Sequence, residues 1–586
     1  MIDPRKLLAV VALALAPGAV FAQPDDDEPG ANALITYPSL FHSVEAENGM
    51  VVAQDKLAAE VGAEIMKKGG NVVDAAVATG FALAVTHPQA GNLGGGGFMI
   101  IKLADRDDAI AIDFREMAPK GASRDMFLDD VGDVDNMRAR FSHLSAGVPG
   151  SVMGLTMALE KYGTMPLKEV IAPAIRLAEK GIPVTAAFAD ATTDYQERFA
   201  RDPSTARYFL NNGAPYKRGE TLVQKDLAKT LKAIAAKGAA GFYEGPVADL
   251  IVSEMNANGG LITHEDLENY KAVERPVVKG EFRGYEIISM PPPSSGGVHL
   301  IEMLNILSGY DLKAMGHNSA DYLGALTEAM RRAYADRSEY LGDPDFFDVP
   351  VDRLIDPAYA AKLRKEINPK KATKSEDVRP GLGPVDESPQ TTHFSVMDKN
   401  GDAVAATTTL NFTFGSSYSV DGAGFLLNNE MDDFSAKPGA PNGFGLLGAQ
   451  ANEIQPGKRP LSSMTPTIVA KNGKAVFATG TPGGSTIITI VLQNVLNMIE
   501  FGMNPMQANA APKIHHQWQP DKVYVEPGIP VDTIRIMEAR GFNIARDPDG
   551  SVQMRPMGRT NTIMLLGGKL FGAPDPREPD SGVGSY

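Results

Sequence analysis

The stretch Ser388-Pro389-Gln390-Thr391-Thr392-His393-Phe394-Ser395 marks an abrupt change in the character of the sequence. Upstream, residues 368–390 contain charges, prolines and glycines without apolar periodicity, which is typical of an exposed and cleavable linker. Downstream, residues 391–397 favour a strand, residues 398–402 have turn chemistry, and residues 403–410 favour a second strand. The sequence therefore predicts a β-hairpin that begins at Thr391.

Thr391 becomes chemically important if the chain is cut in front of it. A neutral α-amine has a reference pKa of about 7.7 to 8.0 and is a usable base at physiological pH. When that amine lies beside its own threonine hydroxyl, one residue supplies both the nucleophile and the base. An ordinary passage from linker to strand is the alternative, and for this stretch alone it is favoured, because threonines open many strands.

The composition is that of a soluble globular protein, and the chain is longer than a single hydrophobic core usually supports. The chain has 586 residues, of which 43% are hydrophobic and 22% are charged, so we expect two closely packed halves or two domains. The net charge is −16, and no cluster of lysine and arginine is interleaved with aromatic residues. This pattern argues against nucleic-acid binding.

The N-terminus has the features of a secretory signal peptide over residues 1–22. Arg5 and Lys6 precede the apolar run Leu7–Ala16, and small residues end at Ala22 before an acidic patch. A buried N-terminal helix is the alternative. No later run approaches the roughly 20 apolar residues of a membrane span. We therefore expect export, to the periplasm in a Gram-negative cell and otherwise to the exterior. With no cysteine in the chain, disulfides and thiol chemistry are excluded.

Helical and strand-like segments alternate as far as about residue 359, which favours an α/β or α+β layered fold. Leu57, Val61 and Ile65 have helical spacing that stops at Gly69, and Asn71 with Asp74 resembles the cap of a second helix. A further helix is predicted to begin near residue 298, after a proline-rich turn.

Two other motifs invite functional interpretations that their spacing does not support. The glycine run at residues 91–98 lacks the Gly-Lys-Ser/Thr ending of a phosphate loop, so close backbone packing is the better explanation. His515 and His516 point to opposite faces of a strand, so a shared metal is improbable. With Trp518 nearby, a structural cluster is favoured.

Four motifs in order resemble the γ-glutamyltranspeptidase family. They are Thr391-Thr392-His393-Phe394-Ser395, Leu427-Asn428-Asn429-Glu430-Met431-Asp432-Asp433-Phe434, Lys458-Arg459-Pro460-Leu461-Ser462-Ser463-Met464 and Thr481-Pro482-Gly483-Gly484-Ser485. The similarity extends N-terminally through residues 67–71, 113–116 and 291–297 and covers nearly the whole mature chain. Each motif alone has an ordinary structural explanation, but their joint occurrence in one order favours the functional interpretation.

The resemblance implies an α+β fold of the N-terminal-nucleophile hydrolase type, a four-layer αββα sandwich. It also implies that the chain cuts itself at Gln390-Thr391 and remains a heterodimer of a large subunit, residues 23–390, and a small subunit, residues 391–586. The substrates implied are γ-glutamyl amides such as glutathione. The γ-glutamyl group would form an ester with Thr391 and pass to water or to an amino acid or peptide acceptor. Neither a cofactor nor a metal is implied.

The resemblance also assigns tasks to individual positions. Arg115 would bind the α-carboxylate of the substrate with the hydroxyls of Ser462 and Ser463. The α-ammonium would meet Asp433, Glu430 and the side-chain oxygen of Asn411. The remaining positions act at the reacting centre. The N–H groups of Gly483 and Gly484 would form the oxyanion hole, and Thr409 would form a hydrogen bond with Thr391.

Two positions depart from the pattern of the family. Position 430 is glutamate where enterobacterial members carry glutamine, which should preserve ammonium binding. Residues 438–449 match the lid loop over the substrate, but position 444 is Phe444 where the bacterial pattern has a tyrosine. Since phenylalanine has no hydroxyl to tie the lid down, we expect a looser lid and a shift toward hydrolysis.

Two alternative functions compete with the transpeptidase interpretation. One is a glutaryl- or cephalosporin-type acylase of the same superfamily, which has no need to hold an α-ammonium; Asp433 and Glu430 argue against it. The other is an uncleaved, non-catalytic binding protein, which the presence of Thr391, Thr409 and the Gly483-Gly484 pair disfavours.

Overall fold

Two seven-stranded sheets lie face to face in the computed structural model, which describes residues 41–378, 391–437 and 439–586. All paired strands in both are antiparallel. The hairpin sheet has the strand order Gly582–Ser585, Gly49–Ala53, Thr392–Asp398, Ala403–Thr409, Gly96–Lys102, Ile110–Phe114 and Val273–Pro276. The second sheet has the order Val44–Ala46, Lys569–Ala573, Thr562–Leu566, Lys474–Thr479, Thr467–Lys471, Tyr285–Ser289 and Val278–Phe282.

The predicted hairpin forms the centre of its sheet. Thr392–Asp398 pairs with Ala403–Thr409, and Thr392 stands opposite Thr408. Alternate side chains serve two cores: Val396 packs toward the helices outside the sheet, and Met397 packs toward the second sheet. The predicted hairpin is confirmed, with its first strand beginning at Thr392, one residue after Thr391.

Helices cover the outer face of each sheet and complete four layers. Lys56–Lys67 and Val72–Thr86 pack on the hairpin sheet, and Gly296–Leu307 packs on the second sheet beside Ala320–Tyr340 and Ile487–Ile499. The predicted α+β sandwich of αββα type is confirmed. The other α-helices are Asn136–Arg140, Ser151–Tyr162, Leu167–Lys180, Ala186–Asp194, Gln196–Phe199, Pro203–Phe209, Lys225–Lys237, Ala240–Tyr243, Gly245–Asn258, His264–Asn269, Leu312–Met315, Val351–Leu354, Pro357–Lys365, Ser375–Val378, Pro505–Ala510 and Val531–Ala539.

Short elements fill the connections. The 3₁₀ turns are His143–Ser145, Glu430–Asp433, Gln450–Asn452 and Gly484–Thr486. Three two-stranded ribbons pair Ile182–Pro183 with Thr221–Leu222, Leu210–Asn211 with Ala214–Pro215, and Ile514–His515 with Tyr524–Val525. In the part of the chain described here, no helix is both long and apolar enough to span a membrane.

The local helix signals in the sequence hold in the structure. Asn71 accepts hydrogen bonds from Val73 N and Asp74 N, and the Asp74 side chain accepts from Asn71 N, which completes a capping box. The helix predicted near residue 298 begins slightly earlier, at Gly296.

Both sheets mix strands from the two sides of residue 390. In the hairpin sheet, Thr392–Asp398, Ala403–Thr409 and Gly582–Ser585 come after that residue, and the other four strands come before it. The predicted large and small subunits therefore share both sheets and both cores. The predicted signal peptide, residues 1–22, and Gln390 lie outside the described residues.

The glycine run packs backbone against backbone, as predicted. A Cβ atom added to Gly94 would lie 2.1 Å from the carbonyl oxygen of Leu426, and one added to Gly95 would lie 1.9 Å from that of Thr409. Such contacts exclude any side chain. The glycines therefore bring this loop directly against the end of the hairpin.

The linker predicted to be exposed from residue 368 requires a correction at Ser375, which is buried. Ser375 N donates to Asp521 Oδ2 at 2.9 Å, and Trp518 Nε1 donates to the Ser375 carbonyl oxygen at 2.9 Å. These hydrogen bonds satisfy the polar backbone that burial would otherwise penalise, so the exposed stretch is shorter than the composition indicated.

The cluster around His516 is structural, as expected. Its Nε2 lies 3.1 Å from Asp521 Oδ1, and its Nδ1 accepts from Trp518 N at 3.1 Å. Burial lowers the pKa of His516 to about 4, so the ring is neutral near pH 7. Within the described ranges, no group of three or more His, Cys, Asp or Glu side chains is arranged to hold a metal ion.

Candidate active site

A pocket with about 290 Å³ of empty space lies at the start of the hairpin. It brings together the site residues predicted from separate motifs, except for Gly483, which adjoins it in the chain, and Gln390, which lies outside the described residues. The lining residues are Arg115, Arg337, Thr391, Thr409, Asn411, Glu430, Asp433, Phe444, Leu446, Ser462, Ser463, Met464, Gly484 and Ile487.

Thr391 lies at the inner edge of the pocket and is 5% exposed. Since Thr392 pairs with Thr408, the antiparallel register places Thr409 beside Thr391. The Thr409 hydroxyl accepts a hydrogen bond from Asn411 N at 2.8 Å, which fixes it near the end of the strand. Two threonine hydroxyls thus share the pocket.

His393 is close to Thr391 in sequence but is engaged elsewhere. Its two ring nitrogens lie 2.9 Å from Thr407 Oγ1 and 3.1 Å from Ser395 Oγ. Burial lowers the pKa of His393 to about 3, so the ring is neutral. Among the described residues that line the pocket there is no histidine, so this site has no histidine to act as general base.

Gly483 and Gly484 begin the helical segment at one wall of the pocket. Gly483 has φ +142° and Gly484 has φ +55°, a region that L side chains rarely adopt. A Cβ on Gly484 would also lie 2.5 Å from Phe444 Cδ1. N–H groups in the first turn of a helix have no acceptor within the helix and favour a nearby negative charge.

Arg115 occupies the opposite wall and is 1% exposed. Its guanidinium forms ion pairs with Glu430 and Asp433 and lies 3.6 Å from Glu116. Its Nε donates to the Pro460 carbonyl oxygen at 3.1 Å. The resemblance assigned Arg115 to the α-carboxylate and the two acids to the α-ammonium at the same end of the substrate, and the structure pairs these side chains directly.

Burial controls the titration of this acidic cluster. Desolvation raises the pKa of Glu430 well above its ordinary value and also raises that of Asp433, against the opposing effect of Arg115. Burial raises the pKa of Glu116 to about 7, again opposed by Arg115. Glu430 Oε2 accepts no hydrogen bond from the described part of the chain. A cationic ligand here would stabilise the ionised carboxylates.

Asn411 and Ser462 complete the polar lining. Asn411 has φ +76°, which asparagine tolerates better than most residues. Its Nδ2 donates to the Asn429 carbonyl oxygen at 2.9 Å, so the side-chain oxygen is the atom left to accept from a ligand. The Ser462 hydroxyl accepts from Met464 N at 3.1 Å.

Arg337 is a lining residue that the sequence did not identify. It lies in the last turn of the helix Ala320–Tyr340, outside every motif, and its NH2 donates to Ser463 Oγ at 3.1 Å. The only signal in the sequence is a charged arginine near the end of a helix whose other side chains are mostly buried. Its location depends on tertiary packing, which no local pattern reveals.

Residues 439–449 of the predicted lid loop contribute Phe444 and Leu446 to the pocket lining. The Phe444 ring packs against Phe412 with ring centroids 5.4 Å apart. Gly443 N donates to Asp432 Oδ2 at 2.8 Å, and Asn442 Nδ2 donates to Asp433 Oδ1 at 3.3 Å. The lid is therefore attached to the same 3₁₀ turn that supplies the acidic cluster.

A second attachment of the lid comes from Gln517. Its Nε2 donates to the carbonyl oxygens of Phe444 at 3.3 Å and Gly445 at 3.2 Å. These backbone contacts do not depend on the side chain at position 444.

Comparison with known proteins places this pocket inside one matched region. The family model described as Gamma-glutamyltranspeptidase matches residues 58–585. The chain is 50% identical to the glutathione hydrolase proenzyme of Escherichia coli strain K12 over 588 residues, which is 100% of both chains. Every described lining residue falls within these matches.

Solved structures are similar over the same region. Cephalosporin acylase from Bacillus halodurans has a TM-score of 0.81 at 28% identity and covers 94% of this chain and 98% of its own. A chain of the Helicobacter pylori gamma-glutamyltranspeptidase has a TM-score of 0.55 at 49% identity and covers 57% of this chain and 95% of its own. The sandwich is thus a fold shared with both kinds of protein.

Proposed function

The chain belongs to the γ-glutamyltranspeptidase family, and we propose that it is a self-processing glutathione hydrolase and γ-glutamyltransferase whose nucleophile is Thr391. One observation carries this proposal: Thr391 shares a small pocket with a paired arginine and acidic cluster and with Gly484 at a helix start. That combination provides a nucleophile, a site for an amino acid's two charges, and donors for an oxyanion.

Processing would create the catalytic amine. The Thr391 hydroxyl attacks the Gln390 carbonyl carbon, the acyl group moves from nitrogen to oxygen, and water hydrolyses the resulting ester. The products are a large subunit, residues 23–390, and a small subunit, residues 391–586. Their strands share both sheets, which supports a heterodimer that stays together after the cut.

Turnover would use the same hydroxyl with the new amine as base. The amine takes the proton of the Thr391 hydroxyl as its oxygen attacks the γ-carbonyl carbon of the donor. N–H groups of Gly483 and Gly484 stabilise the developing oxyanion, and the proton passes to the leaving amine. The γ-glutamyl ester then transfers to water or to the amine of an amino acid or peptide. Thr409, beside Thr391, supports the nucleophile's orientation.

Donor recognition would rest on alternating charges. The α-carboxylate meets Arg115 with the hydroxyls of Ser462 and Ser463, and the α-ammonium meets Asp433 and Glu430 together with the Asn411 side-chain oxygen. A zwitterion matches this arrangement, because each of its charges finds an opposite charge already desolvated and held in place.

A matched pair of substrates tests the proposal. γ-Glutamyl anilide and glutaryl anilide share the carboxylate and the scissile amide and differ only in the α-ammonium. We expect the γ-glutamyl compound to be preferred by at least about 100-fold in kcat/KM, because without the α-ammonium the buried carboxylates lose a cationic partner and Glu430 Oε2 stays without a donor from the described part of the chain. Equal rates or a preference for the glutaryl compound would identify the acylase function, which similarity to the Bacillus halodurans enzyme keeps open.

Phe444→Tyr tests the expectation of a looser lid. A tyrosine hydroxyl at this position adds a hydrogen-bond donor to a loop otherwise held by Asn442, Asp432 and Gln517. We expect the ratio of hydrolysis to transfer to fall by about two- to twelvefold, as one hydrogen bond contributes about 0.5–1.5 kcal/mol. The ratio is measured as glutamate against γ-glutamyl dipeptide at fixed acceptor concentration. An unchanged ratio would contradict the expectation and indicate that the other attachments suffice.

We also propose that residues 1–22 direct export, to the periplasm if the cell is Gram-negative. The basic start, the short apolar core and the small residues before Gln23 support this assignment. N-terminal sequencing of the large subunit from cells would then read from Gln23.

A further inference from the structure

Arg337 is a buried cation at the pocket, held by two serine hydroxyls and acted on by the nearby charge of Asp433. It is 4% exposed. Its Nε donates to Ser295 Oγ at 2.9 Å and its NH2 donates to Ser463 Oγ at 3.1 Å. By contrast, Arg115, Arg331 and Arg332 are buried and form ion pairs with carboxylates. Burying a charge is costly, so an anionic ligand near these hydroxyls would stabilise Arg337 further.

The hydrogen bond from Arg337 NH2 to Ser463 Oγ fixes the direction in which the Ser463 hydroxyl can donate. A serine hydroxyl has one proton to donate, and a guanidinium can only donate. Because Ser463 Oγ accepts from Arg337, its own proton must point away from that nitrogen. Ser463 lines the pocket, where an anionic oxygen would be a suitable acceptor.

Arg337 also supports the turn that carries Ser462. The Ser295 hydroxyl, which accepts from Arg337, donates to the Ser462 carbonyl oxygen at 2.8 Å, and Ser295 N donates to the same oxygen at 2.8 Å. Ser462 N donates to the Pro293 carbonyl oxygen at 2.9 Å. Arg337 thus underlies both turns that form this wall.

The charge balance of the pocket gives Arg337 a further task. Arg115 is already paired with Glu430 and Asp433 and lies near Glu116. These carboxylates offset the charge of Arg115, which weakens its attraction for an incoming carboxylate. Arg337 adds a second positive charge close to the Ser463 hydroxyl.

We propose that Arg337 determines specificity for the donor's α-carboxylate by orienting the Ser463 hydroxyl and by adding a second positive charge to that of Arg115. This inference rests on the proposed function, because it concerns the same donor. Arg337 is a positioning residue: it acts on the carboxylate through Ser463 and is not assigned to the reacting atoms.

The test compares two donors in the autoprocessed enzyme. γ-Glutamyl anilide carries the α-carboxylate, and 4-aminobutanoyl anilide lacks it while keeping the ammonium and the scissile amide. For Arg337→Gln we expect KM for γ-glutamyl anilide to rise by about 10- to 100-fold, the usual weight of a hydrogen bond to a charged group. We expect kcat/KM for 4-aminobutanoyl anilide to change by less than about threefold, since that donor has no carboxylate to lose contact with.

Arg332→Gln is the matched control. Arg332 lies in the same helix, is buried, and pairs with Glu328 outside the pocket. This variant should be less stable and should affect both donors equally. Equal losses on both donors in Arg337→Gln as well would show a purely structural role and overturn the proposal.

A second variant replaces Arg337→Gln if that protein does not process itself. Should Arg337→Gln fail to cleave itself, Arg337→Lys takes its place, because lysine keeps the charge but loses the planar fork. A selective loss on γ-glutamyl anilide supports the proposal, and parallel losses overturn it. If the wild-type enzyme does not cleave γ-glutamyl anilide at all, the proposed function fails. If the wild type cleaves it and only the Arg337 variants lose the preference for γ-glutamyl anilide over 4-aminobutanoyl anilide, the result concerns Arg337 alone.

Discussion

Protein carrying Thr391→Ala is expected to persist as one uncut chain without measurable turnover. The substitution removes the hydroxyl that attacks Gln390, so neither the new N-terminus nor the ester intermediate can form. Loss of a covalent nucleophile in a hydrolase costs about 10⁶-fold in kcat. Intact mass and N-terminal sequencing should give two fragments for the wild type, the smaller beginning at Thr391, and a single chain for the variant.

Two neighbouring substitutions control this experiment. Thr391→Ser keeps a hydroxyl and should still cut itself. Thr392→Ala removes a buried hydroxyl that has no hydrogen-bond partner in the described chain, so it should process like the wild type. Cleavage of the Thr391→Ala chain at the same bond would show that another protease makes the cut. An uncut wild type would require the mechanism to be withdrawn.

The parts of the fold that the sequence predicted are those specified by contiguous residues. The hairpin at Thr391 follows from two runs of β-formers around a polar turn, and the helix after Asn71 follows from its capping box. The four-layer arrangement came from resemblance to a family, because no local pattern states which strands pair. Interleaving of strands from both sides of residue 390 depends on pairing between residues hundreds of positions apart.

The parts that the sequence did not predict depend on distant partners. Ser375 lies in a polar stretch but is buried because Trp518 and Asp521 bind its backbone. Arg337 lies in a helix remote from every motif and reaches Ser463 only after the sandwich assembles. The ion pairs of Arg115 were likewise hidden, since its acids are more than 300 residues away along the chain.

Because of those ion pairs, a substitution of Arg115 is expected to affect both donor recognition and the stability of the protein. Its guanidinium compensates the buried carboxylates of Glu430 and Asp433, and burial already raises the pKa of both. Without Arg115 the pKa values of both acids would rise further, because the group that lowers them is gone. The protein would then take up protons on folding, and its stability would fall as the pH rises through the new values.

Arg115→Gln is therefore expected to lower the free energy of unfolding by about 3–5 kcal/mol, the usual cost of breaking a buried pair. It should also lower kcat/KM for γ-glutamyl anilide by at least about 100-fold, since the donor carboxylate loses the cation assigned to it. Arg115→Lys keeps the charge without the planar fork, so its stability and its kcat/KM should lie between those of the wild type and of Arg115→Gln. Arg140→Gln is the control: Arg140 is half-buried and pairs with Asp432 outside the pocket, so its effect should be smaller in both thermal unfolding and kinetics. An Arg115→Gln enzyme with wild-type stability and an unchanged KM would remove Arg115 from donor binding and shift that role to Arg337.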